Sequence, residues 1–182
     1  GKQRISLSDL PVPLPEDVWL PLIEKISEGL AYLHKQGVRH YHLSPKHILL
    51  DEPMVPKISG LIRESLKRVG GSGSEEYFAR TPEQIDPVFF GKPGKRTDIF
   101  LLGAIWYWLV TGKILPPEGV NVETGDDKIS LSVGDDSLAR YDNSFHKLIA
   151  RYKRDRYSSV ENFLEELRNV TEEPDYLESD EM

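Results

Sequence analysis

Three imidazoles stand close together in this sequence. His40, His42 and His47 form an H-x-H-x4-H pattern. Imidazole nitrogen is a ligand for Zn²⁺, Ni²⁺ or Cu²⁺, and an imidazole held beside a hydroxyl serves as a general base. Two readings of His42 and His47 compete, a metal-binding pair and two polar positions in a hydrated pocket, and the second is preferred. Ser72, Ser74 and Tyr77 carry hydroxyls that a modifying enzyme could phosphorylate, but Gly70-Gly71-Ser72-Gly73-Ser74 reads first of all as a flexible loop. There is no cysteine, so disulfides and thiolate metal sites are excluded.

The composition narrows the field further. The 182 residues are 38% hydrophobic, as in a globular domain with a sizeable core. The formal net charge of −7 argues against a nucleic-acid partner, which needs clustered Lys and Arg. The longest strongly apolar stretch, Ile99 to Val110, is too short to span a bilayer, so no membrane partner is expected. No signal peptide is visible, and absence of cysteine suits a reducing compartment. The expectation is a cytoplasmic protein, or the cytoplasmic part of a longer one.

The elements that must position these side chains are mainly helical. Pro15-Glu16-Asp17 opens a helix in which Val18, Leu22, Ile26, Leu30 and Leu33 recur with helical period, and Gly37 stops it. Two short β runs follow, Ile48 to Leu50 and Val55 to Ile58, parted by the turn signal Asp51-Glu52-Pro53. Thr97-Asp98 opens an almost wholly apolar helix, stopped by Gly112, which belongs at the centre of a domain. The alternation Ile129, Leu131, Val133 suggests a short strand, and two more helices are expected over about 144–152 and 158–169. Residues 171–182 read as an acidic, solvated tail. Trp19, Trp106 and Trp108 are expected in or beside the core. Phe89-Phe90 fits a partner patch and core packing equally well.

The stretch from Gly29 to Asp51 resembles the end of helix E and the catalytic loop of protein kinases, which carry H-R-D-L-x-x-x-N there. Laid on without gaps, His40 matches the motif His, Tyr41 the Arg, His42 the catalytic Asp and His47 the Mg²⁺-binding Asn. Thirteen residues on, Gly60-Leu61-Ile62 falls where the D-F-G motif belongs. Thr81-Pro82-Glu83 resembles A-P-E. Lys95 to Gly103 resembles the start of the buried helix F, and Arg154-Asp155-Arg156-Tyr157-Ser158 the turn before the last helix. The chain is thereby identified as a member of the eukaryotic-like (Hanks-type) Ser/Thr protein kinase superfamily. The fold class implied is mainly α, a kinase-like C-lobe over residues 15–170 with a small β insert, preceded by a segment (1–14) that would follow the N-lobe and hinge.

By the same resemblance, His40 and Leu61 would fill an apolar spine, Asp98 would accept N–H bonds from the catalytic loop, and Glu83 would pair with Arg156 in a buried ion pair. The catalytic positions are degenerate. His42 replaces the catalytic carboxylate, Gly60 the Mg²⁺ carboxylate, His47 the Mg²⁺ amide and Ser44 the loop Lys of Ser/Thr kinases. Mg²⁺ demands hard oxygen ligands, and phosphoryl transfer rests on metal and electrostatic stabilisation. The expectation is a pseudokinase: no metal, no cofactor, weak or no ATP binding, no functional catalytic residue, and a protein partner bound near helix G or at the segment 70–90. Tyr41 in place of the Arg implies no activation-loop phosphoswitch. Nothing ahead of Leu10 resembles a glycine loop or strand Lys. The rival is a divergent ATP-dependent Ser/Thr kinase whose N-lobe lies outside this chain and whose base is His42. The stretch 117–136, where helix G is due, resists assignment.

Overall fold

The computed structural model describes residues 4–61, 78–125 and 128–172. The Gly/Ser loop with Ser72, Ser74 and Tyr77, and nearly all of the acidic tail, lie outside these residues. Strand β1 (Ile5–Ser6) leads through a 3-10 turn to helix α1 (Glu16–Lys35). Strands β2 (Ile48–Asp51) and β3 (Val55–Ile58) follow, then two short helices, α2 (Pro82–Ile85) and α3 (Pro87–Phe90). Helices α4 (Lys95–Thr111), α5 (Ala139–Leu148) and α6 (Val160–Glu172) complete the order. The architecture is mainly α with one small antiparallel sheet, ordered β1-β2-β3.

The sheet register pairs Ile48 with Ile58 and Asp51 with Val55 across the turn that the sequence signals. The exposed pair Lys57–Asp51 closes the hairpin at 2.5 Å. Ile5 pairs with Leu50, adding a third strand that two residues of sequence do not announce. Helix α1 runs through Pro21, which can donate no backbone hydrogen bond. Its buried face of Trp19, Leu22, Ile23, Ile26 and Leu30 offsets that loss. Gly37 (φ 77°) and Gly112 (φ 72°) take the left-handed conformation that ends α1 and α4.

Helix α4 is the axis of the core. Every residue from Thr97 to Trp106 is buried, which a helix apolar nearly all round requires. Trp106 meets Trp19 at 5.8 Å, Tyr141 at 5.8 Å and Phe163 at 5.6 Å between ring centroids, tying α1, α5 and α6 to one point. Trp108 is half-buried against Phe78. At Gly103 a Cβ would sit 2.5 Å from Ile149 Cγ2, so only glycine lets α4 approach the end of α5 this closely.

Three sequence expectations change. Residues 129–133 form no strand. The Asp142 carboxylate accepts the N–H groups of Leu131 (2.8 Å) and Ser132 (3.2 Å), doing for that backbone what a neighbouring strand would do. Helix α5 begins at Ala139 rather than 144, because Leu138, Tyr141, Phe145 and Leu148 make one buried face, and it ends at Leu148, before Ala150 bridges to Val120. Among the described residues no α-helix lies between α4 and α5. The stretch where helix G was due is turns, fastened by the Val120–Ala150 bridge.

Candidate functional site

The loop 38–47 leaves the C-terminal end of α1 and crosses the N-terminal end of α4, where buried Asp98 receives it. Asp98 Oδ2 accepts from the backbone N–H of His40 (2.8 Å) and Oδ1 from that of Tyr41 (2.7 Å). His34 Nε2, on the last turn of α1, donates to Oδ2 at 2.8 Å. The kinase resemblance assigned Asp98 the first two bonds; the third comes from a residue that no motif marks. Tyr41 is held at φ 67°, a left-handed conformation that a bulky residue adopts only under constraint. Asp98 grips its N–H, and Gln84 Nε2 donates to its carbonyl at 2.7 Å. Gln84 also receives Thr81 N–H on Oε1, so α2 is locked to the loop through one side chain.

The three imidazoles differ in what they face. His40 is buried; its Nε2 donates to Ser59 O at 2.6 Å, which leaves Nδ1 to accept the His42 N–H at 3.2 Å. Burial holds the His40 pKa below the ordinary imidazole value, against the opposing pull of the Ser59 carbonyl and Asp98. His47 Nδ1 donates to the backbone carbonyl of His42 at 2.7 Å and lies 3.2 Å from Ser44 Oγ. Thus the His47 ring meets His42 at its backbone carbonyl. Among the described residues no three His, Cys, Asp or Glu side chains converge as a metal site.

Gly60 completes this loop from the other side. Ser59 N–H donates to His47 O at 2.7 Å, and Gly60 takes φ 73°. A Cβ on residue 60 would fall 2.3 Å from His47 Cδ2, and a real Cβ never comes that close to another atom. The His47 ring therefore occupies the space into which a side chain at position 60 would project. Neither position supplies a side-chain oxygen. Leu61, expected in the apolar spine, is 44% exposed.

The structural pair is fully formed. Arg156 Nη1 and Nη2 donate to the two Glu83 carboxylate oxygens at 2.6 and 3.0 Å. The carbonyls of Ala150, Arg96 and Arg151 take the remaining guanidinium hydrogens. Thr97 Oγ1 adds a third bond to Glu83 at 3.0 Å, and Arg156 stacks over Phe100. Burial pushes the Glu83 carboxyl up, but hydrogen bonds and charge from Arg156 outweigh it, so Glu83 stays below the usual carboxylate range.

Beside the loop lies an open cavity of about 490 Å³ lined by Tyr41, His42, Arg80, Glu83, Gln84, Pro87, Lys92 and Pro93. Of the Phe89-Phe90 pair, Phe90 packs on Tyr152 while Phe89 is 68% exposed, next to Val88 at 96%. No helix among the described residues is long and apolar enough to cross a membrane.

Comparison with known proteins places this arrangement in a family. No family model matches the chain. The smooth-muscle myosin light chain kinase of Gallus gallus is 32% identical over 101 residues, covering 54% of this chain and 5% of that protein. The interferon-induced, double-stranded RNA-activated protein kinase of Mus musculus is 30% identical over 165 residues, covering 84% of this chain and 30% of that protein. Among solved structures, the kinase domain of PknI from Mycobacterium tuberculosis superposes with a TM-score of 0.66 at 18% identity, covering 92% of this chain and 62% of that domain. The chain thus spans less than a third of these two curated relatives and about three fifths of the solved domain. The chain belongs to the protein-kinase-like superfamily, of which it is a C-terminal lobe.

Proposed function

We propose that this lobe is catalytically inactive, a pseudokinase that acts as a protein-interaction or regulatory module. The observation that carries the reading is the seat of His47. Its ring fills the space beside Gly60 where the family places a magnesium carboxylate, and its Nδ1 is committed to the His42 carbonyl. Mg²⁺ binds through oxygen in near-octahedral geometry, and positions 42, 47 and 60 offer imidazole, imidazole and hydrogen. Without the metal, charge building on a transferred phosphoryl group loses its main stabiliser. Asp98, which holds the loop, and the Glu83–Arg156 pair are all engaged. A lobe kept folded around a disarmed loop suits recognition, not chemistry.

Weak or no nucleotide affinity belongs to the same reading, since the family's nucleotide lies between two lobes and this chain is one of them. So does a cytoplasmic location, with which the cysteine-free sequence agrees. The test is transfer of labelled γ-phosphate from Mg-ATP by the full-length protein. No incorporation above background is expected. The rival reading, a divergent Ser/Thr kinase with His42 as base, draws on the kinase identity of the sequence relatives. It requires transfer that His42→Ala abolishes.

A further inference from the structure

The residues of the loop are joined in a closed circuit of hydrogen bonds. His40 Nε2 donates to the Ser59 carbonyl at 2.6 Å, and Ser59 N–H donates to the His47 carbonyl at 2.7 Å. His47 Nδ1 donates to the His42 carbonyl at 2.7 Å, and His42 N–H returns to His40 Nδ1 at 3.2 Å. We propose that this circuit is an acid-operated latch: a proton taken up by His40 breaks it and lifts the His47 ring off Gly60. This deepens the inactive reading and rests on it, because it takes positions 42, 47 and 60 to hold no metal.

The direction of the circuit makes it sensitive to a single proton. A carbonyl oxygen only accepts, so His40 Nε2 carries the hydrogen that meets Ser59, and Nδ1 is the acceptor for His42. Neutral imidazole has one donor and one acceptor, whereas imidazolium has two donors. A hydrogen on His40 Nδ1 would point at the His42 N–H, which cannot accept it. Two donors then face each other and the bond is lost. Hydrogen bonds in a chain polarise one another, so opening one weakens the rest.

The surrounding frame decides which part yields. Asp98 holds the N–H groups of His40 and Tyr41, and Gln84 holds the Tyr41 carbonyl. On the far side Ile58, the neighbour of Ser59, is paired with Ile48 in the sheet. Movement therefore falls on residues 42–47, beyond Tyr41. A Cβ on Gly60 would lie 2.3 Å from His47 Cδ2, so the His47 ring covers this glycine while the latch is shut. Proton uptake uncovers Gly60 and changes the face that the loop offers a partner.

The groups around His40 set where the latch works. Helix α4 contributes Asp98, whose charge favours proton uptake and whose Oδ2 also takes His34 Nε2 from α1. His42 and His47, in the loop itself, oppose uptake, and the chain just beyond β3 presents the Ser59 carbonyl. Burial is the largest influence and disfavours imidazolium, so His40 takes its proton below the ordinary imidazole value of 6.5. The latch is shut above 6.5 and opens as pH falls below it, through the folded pKa.

The experiment is an NMR pH titration of the isotope-labelled full-length protein, with hydrogen exchange measured along it and corrected for the intrinsic effect of pH. The His40 ring signals are expected to titrate below 6.5, and the Gly60 Hα signals should shift in the same transition as the His47 ring leaves them. Protection of the His42 and Ser59 amides should fall about tenfold through that transition, as the loss of one hydrogen bond from each implies. The His40 and Tyr41 amides, held by Asp98, should keep theirs. His40→Phe should remove the transition. If that variant does not fold, the contrast between the two pairs of amides in the wild type decides alone. Titration of His40 with the Gly60 signals and the 42 and 59 amides unmoved overturns the proposal, as does a Gly60 shift that follows His42 or His47 instead. So does a His40 that stays neutral until all four amides lose protection together, which is unfolding of the lobe. Those outcomes leave the inactive reading standing, because it is judged separately by phosphate transfer from Mg-ATP.

Discussion

Two clusters of polar residues meet in and around the loop 38–47, and they are built on opposite principles. In one, Asp98, Glu83 and Arg156 are buried charges whose hydrogen-bonding groups meet partners held by rigid elements. In the other, His42, His47 and Gly60 meet through a ring, a backbone carbonyl and an empty Cα. Asp98 holds the backbone of the loop and Glu83 holds Arg156, while the positions where carboxylates would hold metal contain none. The residues that anchor the fold and those at the family's catalytic positions are therefore separate sets in this lobe.

The largest test of that separation is the ion pair. Glu83→Ala or Arg156→Ala leaves a lone buried charge and should cost about 3–5 kcal/mol, lowering the melting temperature by roughly 6–20 °C. A change no larger than a surface substitution would erase the contrast. Asp98→Asn keeps the shape but removes the charge that accepts three hydrogen bonds. It should cost about 2–3 kcal/mol and release Tyr41 from its strained conformation, which loss of protection at the 40 and 41 amides in hydrogen exchange would reveal.

The side that carries His47 and Gly60 should respond differently. Gly60→Asp puts a side chain at φ 73° against the His47 ring and should destabilise by about 1–3 kcal/mol. In a His47→Ala background the same change should cost about 1 kcal/mol less, since the ring that blocks it is gone. Additive effects would mean that the ring does not fill that space.

The smallest effect is in pH. Glu83, held below its ordinary value of 4.5, contributes stability that is present above that value and is lost as pH falls through the folded pKa. His40, also lowered, binds its proton less readily folded than unfolded. Its contribution is complete above 6.5 and is lost as pH falls below it. Chemical denaturation between pH 8 and 3 should show two separate declines, and His40→Phe should remove only the upper one.

The sequence conveys the anchored side well and the side of His47 and Gly60 only in part. Gly37 and Gly112 mark helix ends because their positive φ belongs to glycine, and α4 announces its burial by being apolar all round. Asp98, Glu83 and Arg156 were legible through the kinase resemblance. Gln84 and His34 were not, because a residue that bonds a backbone carbonyl or a buried carboxylate from another element leaves no periodic trace. Helix α5 hid its first turn behind Arg140 and Asp142, while Tyr141 packed inward against Trp19 and Trp106. The alternation at 129–133 misled because an aspartate on α5 takes the place of a strand partner. No pattern in the sequence reveals that the His47 ring sits over Gly60, since that depends on rotamer and φ together.

The central claim is that positions 42, 47 and 60 do not seat a divalent cation for phosphoryl transfer. Titrating Mn²⁺ as a paramagnetic stand-in for Mg²⁺ into the labelled full-length protein with ATP tests it directly. The account predicts that the signals of His42, His47 and Gly60 broaden no more than those of exposed residues elsewhere on the lobe. Selective loss of the His47 and Gly60 signals at equimolar Mn²⁺ and ATP would contradict it.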